Sequence, residues 1–255
     1  MRCLHMSGAG NDFMVIDGRG QKLDYPVLAQ KLCAMTGADG FMVLDESEQA
    51  DFRLHYYNAD GSRGEMCGNG SRCICKFAYD AGIAGESMTV QTDAGIISGW
   101  RLAENLYRVK LTRPTDIDLE AKSGVAYAIC GVPHATVEIP GLSWEQKDDL
   151  REQAKSLRFD PIFPKGTNVD FYSWIDSSTV RILSYERGVE DYTLACGTGC
   201  GALTAILYTA GKLPGKKLKA LNPGGTLQIT VEDHGGLISG LLLEGPTEII
   251  GEYEI

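Results

Sequence analysis

The stretch Cys67-Gly68-Asn69-Gly70 returns in the second half of the chain as Cys196-Gly197-Thr198-Gly199. Behind each stretch the apolar residues recur at helical spacing, which predicts helices over 71–81 and 200–210. A lone Cys-Gly-x-Gly stretch is typical of a tight turn with a buried thiol. Two in register, each opening a helix, indicate a repeated structural unit.

The repeat extends beyond the helices. Each apolar stretch ends in Ala-Gly, at Gly82 and Gly211, each fifteen residues beyond its cysteine, and glycine there is a helix stop. Strand-like material precedes and follows each helix, at 52–57 and 88–111 in the first half and at 180–185 and 218–243 in the second. These patterns predict an α+β protein of two similar domains, 1–112 and 113–245, divided at the polar, proline-containing stretch 112–115.

Composition excludes several function classes. The chain has 255 residues and a formal net charge of −10, with 44% hydrophobic and 23% charged residues. This length suffices for two cores, and the negative charge argues against nucleic acid as the partner. No apolar run is long enough to cross a bilayer, and residues 1–12 lack the pattern of a secretory signal. We therefore expect a cytoplasmic protein with a small-molecule partner and no membrane partner.

The eight cysteines are unevenly spaced. In a reducing compartment most are expected to be small buried thiols rather than disulfides. The close pairs Cys73/Cys75 and Cys196/Cys200 lack the spacing of a zinc knuckle, and no histidine pair stands at ligand spacing. The sequence therefore predicts no metal site.

A cysteine at a glycine-rich helix start can take part in acid–base chemistry beside a bound anion. The first turn of a helix offers unpaired N–H donors and the positive end of the dipole, which suit a carboxylate and also stabilise a thiolate. Two such cysteines facing one carbon from opposite sides can invert it, one removing the α-proton and the other returning a proton. A thiol redox protein would favour Cys-x-x-Cys, which is absent, and a hydrolase using His134 as its base would leave Cys196 without a role.

Several further motifs carry a resemblance over nearly the whole chain. The sequence resembles the diaminopimelate epimerase family in its motifs at 10–13, 37–40, 58–62, 66–73, 133–134, 166–168, 186–188, 193–199 and 223–225. The resemblance implies an isomerase that interconverts LL- and meso-diaminopimelate for lysine and peptidoglycan precursors. It also implies that no cofactor such as pyridoxal phosphate is needed.

The resemblance also implies roles for individual residues. Cys67 and Cys196 match the two catalytic cysteines, with His134 and Glu186 as supporting polar groups beside the thiols. The residues matching the substrate-binding positions are Asn11, Asn58, Gly68, Asn69, Asn168, Glu186, Arg187, Gly197 and Thr198. The implied fold has two pseudo-symmetric domains, each a strongly curved, mostly antiparallel sheet around a central helix. The active site is expected in the cleft between the domains, with a last strand at 246–255 returning to the first domain.

The sequence departs from the family pattern at a few positions. Val132 stands where an asparagine often precedes Pro133-His134, Tyr192 replaces a common glutamate, and Gly251 replaces an aromatic residue that helps some members to dimerise. A homodimer is therefore compatible with the resemblance but weakened by Gly251. Val132 leaves open a racemase of another amino acid, such as histidine or a proline derivative. A non-catalytic amino-acid-binding module is a further alternative, although binding alone needs neither thiol.

Overall fold

A computed structural model describes residues 1–64 and 67–255 of the chain. Met66, which begins one of the family motifs, lies outside the described residues. The chain divides into two compact units. Unit 1 comprises Met1–Lys110 and Glu244–Ile255, and unit 2 comprises Leu111–Leu243.

The described residues of unit 1 form two helices and eight strands. They are α1 (Tyr25–Thr36), α2 (Gly68–Asp80), β1 (Arg2–Gly8), β2 (Asn11–Asp17), β3 (Gly40–Asp45), β4 (Phe52–Asn58), β5 (Ser87–Thr92), β6 (Gly95–Ala103), β7 (Leu106–Leu111) and β17 (Glu248–Glu254). The strands pair in the order β17-β1-β2-β3-β4-β5-β6-β7. All pairs are antiparallel except β2–β3 and β4–β5, which are parallel.

Unit 2 repeats this pattern of pairing. Its elements are α3 (Arg151–Arg158), α4 (Gly197–Thr209), β8 (Thr115–Lys122), β9 (Val125–Cys130), β10 (Val132–Glu138), β11 (Asn168–Asp176), β12 (Thr179–Glu186), β13 (Asp191–Tyr192), β14 (Lys217–Asn222) and β15 (Gly225–His234), with a short 3-10 helix at Trp144–Lys147. Strand β16 (Leu237–Pro246) leads the chain back to unit 1. The order is β8-β9-β10-β11-β12-β14-β15, and again only two pairs of this series, β10–β11 and β12–β14, are parallel. The predicted fold class, two similar α+β units dominated by mostly antiparallel sheet, is confirmed.

The helices α2 and α4 form the centres of their units. Eleven of the thirteen residues of α2 are buried, and in α4 ten residues from Gly197 to Leu207 are buried. Helix α2 packs on β1, β2, β3 and β6, whereas α4 packs on β8–β11, β14 and β15. A helix that is covered on all sides explains why these two segments are rich in small and apolar residues.

Both central helices begin three residues earlier than the sequence predicted. The prediction placed their starts at Ser71 and Cys200, whereas the helices begin at Gly68 and Gly197. Glycine is a poor helix former, so the sequence pattern places these glycines in a loop before each helix. Here they lie in the first turn, and the cysteine before each helix caps it. The predicted stops are confirmed, since Gly82 and Gly211 follow the helices with positive φ angles of 69° and 66°.

The end of the chain belongs to unit 1. Strand β17 pairs antiparallel with β1, from Arg2 opposite Glu254 to Ser7 opposite Glu248. An ion pair of Arg2 with Glu252 lies on the same pair of strands. Among the described residues, no helix is long and apolar enough to cross a membrane.

The burial of α4 predicts how unit 2 responds to mutation. Leu203 in α4 is fully buried, whereas Leu237 in the same unit is 73% exposed. We expect Leu203→Ala to lower the free energy of unfolding by about 2–5 kcal/mol, because it removes buried methyl groups and leaves a cavity. Leu237→Ala should change it by less than about 0.5 kcal/mol. Urea unfolding of the two variants tests this, and equal losses would contradict the central position of α4.

Candidate functional site

Each central helix is capped by a cysteine sulfur. The Sγ of Cys67 accepts a hydrogen bond from the backbone N–H of Gly70 at 3.4 Å, and the Sγ of Cys196 accepts one from the N–H of Gly199, also at 3.4 Å. Both cysteines have extended backbone, with φ/ψ of −111°/115° and −113°/105°. The two sulfurs thus occupy the position normally taken by a Ser, Thr or Asp oxygen at a helix N-cap. Each thiol lies against N–H donors that favour negative charge.

In unit 1, the thiol of Cys67 belongs to a cluster of amide groups. The Oδ1 atom of Asn11 lies 3.7 Å from the Cys67 sulfur and 3.5 Å from the Nδ2 atom of Asn69. The Nδ2 atom of Asn11 donates to the carboxylate of Asp39, which also accepts the backbone N–H of Asp12 at 3.0 Å. Because Asp39 takes the NH₂ side of Asn11, the amide oxygen is the atom that faces Cys67.

In unit 2, Cys196 begins a chain of buried polar groups. Its sulfur lies 3.4 Å from the Thr198 hydroxyl, which lies 3.0 Å from the Nε2 atom of His134. The Nδ1 atom of the same ring lies 2.7 Å from the carboxylate of Asp170. The side chains of His134 and Asp170 have no exposed surface, so this interaction is fully removed from water.

Glu186 supplies a second carboxyl group beside Cys196. One of its oxygens accepts a hydrogen bond from the Thr193 hydroxyl at 2.5 Å. Burial raises the pKa of the Glu186 carboxyl, while Thr193, His134 and Cys196 oppose this rise. Burial likewise raises the pKa of the Cys196 thiol well above its ordinary value, and the carboxyl groups of Glu186 and Asp170 raise it further.

Asn168 connects this cluster to Arg187. The Oδ1 atom of Asn168 accepts the backbone N–H of Arg187 at 2.7 Å, and its Nδ2 atom lies 3.4 Å from the Nε2 atom of His134. The Arg187 guanidinium donates to the carbonyl of Lys165 at 2.8 Å. The candidate residues His134, Asn168, Glu186, Thr198 and Cys196 therefore lie together, with Arg187 beside them.

Asn58 has a different surrounding. Its side-chain amide donates to the Ser62 hydroxyl at 2.9 Å, and its backbone N–H donates to the Ser62 carbonyl. Among the described residues, these contacts close a turn after β4 and do not join Asn58 to the Cys67 cluster. Its expected substrate contact stays a prediction.

Sequence reasoning assigned no role to four residues of these clusters, although two of them lie in the family motifs at 37–40 and 193–199. They are Asp39, Asp170, Ser184 and Thr193. A signal for Asp170 existed: it stands two residues after Asn168, and alternate residues of a strand share a face. Ser184 lies near the end of β12, and nothing in its local sequence marks it as a partner of Asp170.

Among the described residues, the remaining cysteines do not cap a helix. Cys3, Cys33, Cys73, Cys75, Cys130 and Cys200 are all buried, and all eight cysteines are thiols. Burial raises the pKa of Cys73, Cys75 and Cys130 to about 12. In the described part of the chain, no group of three or more His, Cys, Asp or Glu side chains is arranged to hold a metal ion.

Comparison with known proteins decides the family. The family model described as diaminopimelate epimerase matches residues 3–112 and 126–249. The chain belongs to the diaminopimelate epimerase family. It is 37% identical to the diaminopimelate epimerase of Aquifex aeolicus, with 86% of each chain covered. It is 35% identical to that of Archaeoglobus fulgidus, with 92% of this chain and 91% of the relative covered.

Solved structures of other proteins share the fold of this family member. One is a PhzF-family phenazine biosynthesis protein of Bacillus anthracis, with a TM-score of 0.77, 14% identity, and 100% of this chain and 98% of that chain covered. Another is a hydroxyproline epimerase of Agrobacterium vitis with bound trans-4-hydroxy-L-proline, with a TM-score of 0.75, 17% identity, and coverage of 100% and 90%. At these identities the likeness establishes the fold alone.

The first turns of the two central helices differ in how tightly their second glycine is enclosed. A Cβ atom added at Gly199 would lie 2.5 Å from an oxygen of Asp170, whereas one at Gly70 would meet the flexible side chain of Met42 at 3.1 Å. We expect Gly199→Ala to cost about 1–3 kcal/mol of stability, because the buried carboxylate has to shift. Gly70→Ala should cost much less, since Ala favours the helix by about 1 kcal/mol relative to Gly. Urea unfolding of both variants checks this, and equal costs would contradict it.

Proposed function

We propose that the protein is an isomerase that interconverts LL- and meso-diaminopimelate, with Cys67 and Cys196 as the two acid–base groups and without a cofactor. The observation that carries the proposal is the matched pair of cysteine-capped, buried helices, one in each unit. Two thiols in the same backbone setting suit a reaction that runs in both directions. Family membership supplies the substrate, and we place the reaction in the cytoplasm, where lysine and peptidoglycan precursors are made.

The helix starts suit the reacting carboxylate of an amino acid. The backbone N–H groups at Gly68, Asn69, Gly197 and Thr198 belong to the first turns of α2 and α4. Such N–H groups lack partners within the helix, and they carry the positive end of its dipole. Donors aimed at this carboxylate also stabilise the negative charge that develops when the α-proton leaves.

The proposed step moves one proton on and one proton off. A thiolate takes the α-proton and becomes a thiol, leaving the electron pair of the broken C–H bond on the α-carbon. The opposite thiol gives its proton to the other face of that carbon and becomes a thiolate. No other reactant is consumed, and the enzyme is left with one thiol and one thiolate, as it began. The proposal requires that both thiols reach one α-carbon from opposite faces.

The polar residues around the thiols fit the distal amino-acid end of the substrate. Diaminopimelate carries a second ammonium and a second carboxylate. We assign their binding to Asn11, Asn58, Asn168, Glu186 and Arg187. A guanidinium binds a carboxylate through two N–H groups, and a carboxylate accepts hydrogen bonds from an ammonium. Analogues lacking this end should be rejected, because buried polar groups would then lose their partners.

Exchange of the α-proton tests the function directly. The protein is incubated in deuterated buffer with a reducing agent and, in parallel, LL-diaminopimelate, meso-diaminopimelate, histidine, proline and glutamate, and each is followed by NMR. We expect deuterium to enter only diaminopimelate, with interconversion of the LL and meso forms. Exchange in another amino acid would keep the two-thiol chemistry and overturn the substrate, with Val132 as the first position to examine. No exchange in any of them, with reduced thiols verified, would overturn the epimerase proposal.

Replacement of each thiol separates catalysis from binding. Cys67→Ser and Cys196→Ser should each lower the epimerisation rate by a factor of about 10²–10⁴, because a hydroxyl replaces a much stronger acid–base group. Cys3→Ser is the matched control, since Cys3 is a buried thiol in β1 whose electrostatic neighbours are Val15, Cys33 and the N-terminus, none of which belongs to the two cysteine clusters. Binding of diaminopimelate, measured by calorimetry, should persist in all three variants. Retention of full activity in either capping variant would contradict the two-thiol mechanism.

A further inference from the structure

The orientation of one amide determines which nitrogen of His134 carries the hydrogen. The backbone N–H of Arg187 donates to Asn168 at 2.7 Å, so the acceptor there is the amide oxygen. The NH₂ group of Asn168 then faces the Nε2 atom of His134 at 3.4 Å. An amide NH₂ donates and cannot accept, so Nε2 is the unprotonated nitrogen of the neutral ring.

The other ring nitrogen faces a carboxylate that is itself held in place. With Nε2 as an acceptor, the ring hydrogen lies on Nδ1 and is donated to Asp170 at 2.7 Å. The second oxygen of Asp170 accepts the Ser184 hydroxyl at 2.6 Å. Both carboxylate oxygens therefore have a donor, and the ring and the carboxylate are completely buried. Asp170 stabilises the tautomer that Asn168 also favours.

The tautomer of His134 sets the direction of the next hydrogen bond. The single lone pair of Nε2 is shared unequally, because the Thr198 hydroxyl lies 3.0 Å away and the Asn168 amide 3.4 Å away; Thr198, the closer donor, gives its one hydrogen to Nε2. The Thr198 oxygen then presents lone pairs to the sulfur of Cys196, 3.4 Å away. A thiol can donate to that oxygen, whereas a thiolate would face an acceptor.

We propose that Asp170 is a positioning residue that, through the tautomer of His134 and the hydroxyl of Thr198, holds Cys196 as the protonated thiol in the resting enzyme. In the resting enzyme Cys196 is then the proton donor for the isomer whose α-hydrogen faces Cys67, and Cys67 takes that α-proton; after the step the two thiols have exchanged roles, as the reverse reaction requires. The roles of Cys67 and Cys196 in proton transfer rest on the proposed function. The hydrogen-bond arrangement itself does not.

The groups that face Cys196 favour the same protonation state. Burial and the carboxyl groups of Glu186 and Asp170 raise the pKa of the thiol, whereas a hydrogen bond from the Thr198 hydroxyl and one from the N–H of Gly199 lower it. The helix start alone would favour a thiolate. A hydroxyl that donated its hydrogen to the sulfur would also favour the thiolate. With His134 in this tautomer, the Thr198 hydroxyl donates its hydrogen to Nε2 instead.

Nitrogen NMR reads the tautomer without any substrate. The chain contains four histidines, so ¹⁵N-histidine labelling yields four rings, and His134→Gln identifies the ring at 134. In the wild-type protein near neutral pH we expect His134 to carry its hydrogen on Nδ1 alone. A hydrogen on Nε2, in a neutral or a charged ring, would overturn the proposal.

Two substitutions of Asp170 separate its hydrogen bond from its charge. Asp170→Ala removes both, whereas Asp170→Asn removes the charge but keeps an oxygen that accepts from Nδ1. If the hydrogen bond positions His134, Ala shifts the ring hydrogen to Nε2 and Asn restores it to Nδ1. The pH midpoint of Cys196 alkylation by iodoacetamide, followed by mass spectrometry, should fall in the Ala variant by more than in the Asn variant. We expect about tenfold more Cys196 thiolate below the midpoint in Ala than in Asn, which is one pKa unit.

The controls keep each outcome decisive. Cys3, a buried thiol in β1 outside both cysteine clusters, should keep its midpoint in every variant. Asp176→Ala, on the same strand but exposed, should leave Cys196 unchanged. If the Ala and Asn variants shifted the Cys196 midpoint equally, Asp170 would act through its charge alone, and the proposal would be overturned.

A second substitution covers the case in which Asp170→Ala does not fold, as judged by circular dichroism. Thr198→Val removes the hydroxyl and retains the charge of Asp170, so the Cys196 midpoint should fall. An unchanged midpoint would overturn the proposal. Proton exchange by the wild-type protein, measured separately, reports on the proposed function, so the failure of one idea is distinguishable from the failure of the other.

Discussion

A sulfur atom at the first turn of a buried helix is the feature on which both candidate clusters depend. The capping bonds from Gly70 and Gly199 hold the sulfurs of Cys67 and Cys196 against backbone N–H groups. Those N–H groups can be satisfied only by a cap, a ligand or water. The helices α2 and α4 are buried along most of their length, including most of their first turns. A thiol and a set of N–H donors that suit a carboxylate thus arise from one backbone arrangement.

Each unit uses a carboxylate to orient a planar group in the cluster around its thiol. Asp39 takes the NH₂ side of Asn11 and turns its oxygen towards Cys67, while Asp170 takes Nδ1 of His134 and turns Nε2 towards Thr198. The two carboxylates differ in burial: Asp39 is exposed, whereas Asp170 is fully buried. A buried carboxylate has a much stronger influence on its neighbours, since little water screens it. The two thiols therefore have the same backbone setting but different electrostatic surroundings.

The competition at Cys196 illustrates how a helix start can be overruled. The helix dipole and the N–H of Gly199 favour a thiolate, but the dipole contributes at most about 2 kcal/mol even at a partly buried helix end. Removal of a thiolate from water and the approach of two carboxyl groups act in the opposite direction and dominate. The result is a thiol at the start of a helix, which is the state a proton donor requires.

The sequence by itself determined the repeat, the two cysteines and the family, because these depend on local order: a Cys-Gly-x-Gly stretch, a helix of fixed length and a glycine stop. It also predicted the two-unit α+β fold, since strand and helix periods alternate in the same order in both halves. Only the tertiary structure decided where the helices begin, because a cysteine cap and close packing outweigh the low helix propensity of glycine. Only it brought Asp170, Ser184 and Thr193 to Cys196 and Glu186 and placed Asn58 in its own turn. Those contacts join residues from different strands, and the register that aligns them is a property of the folded sheet.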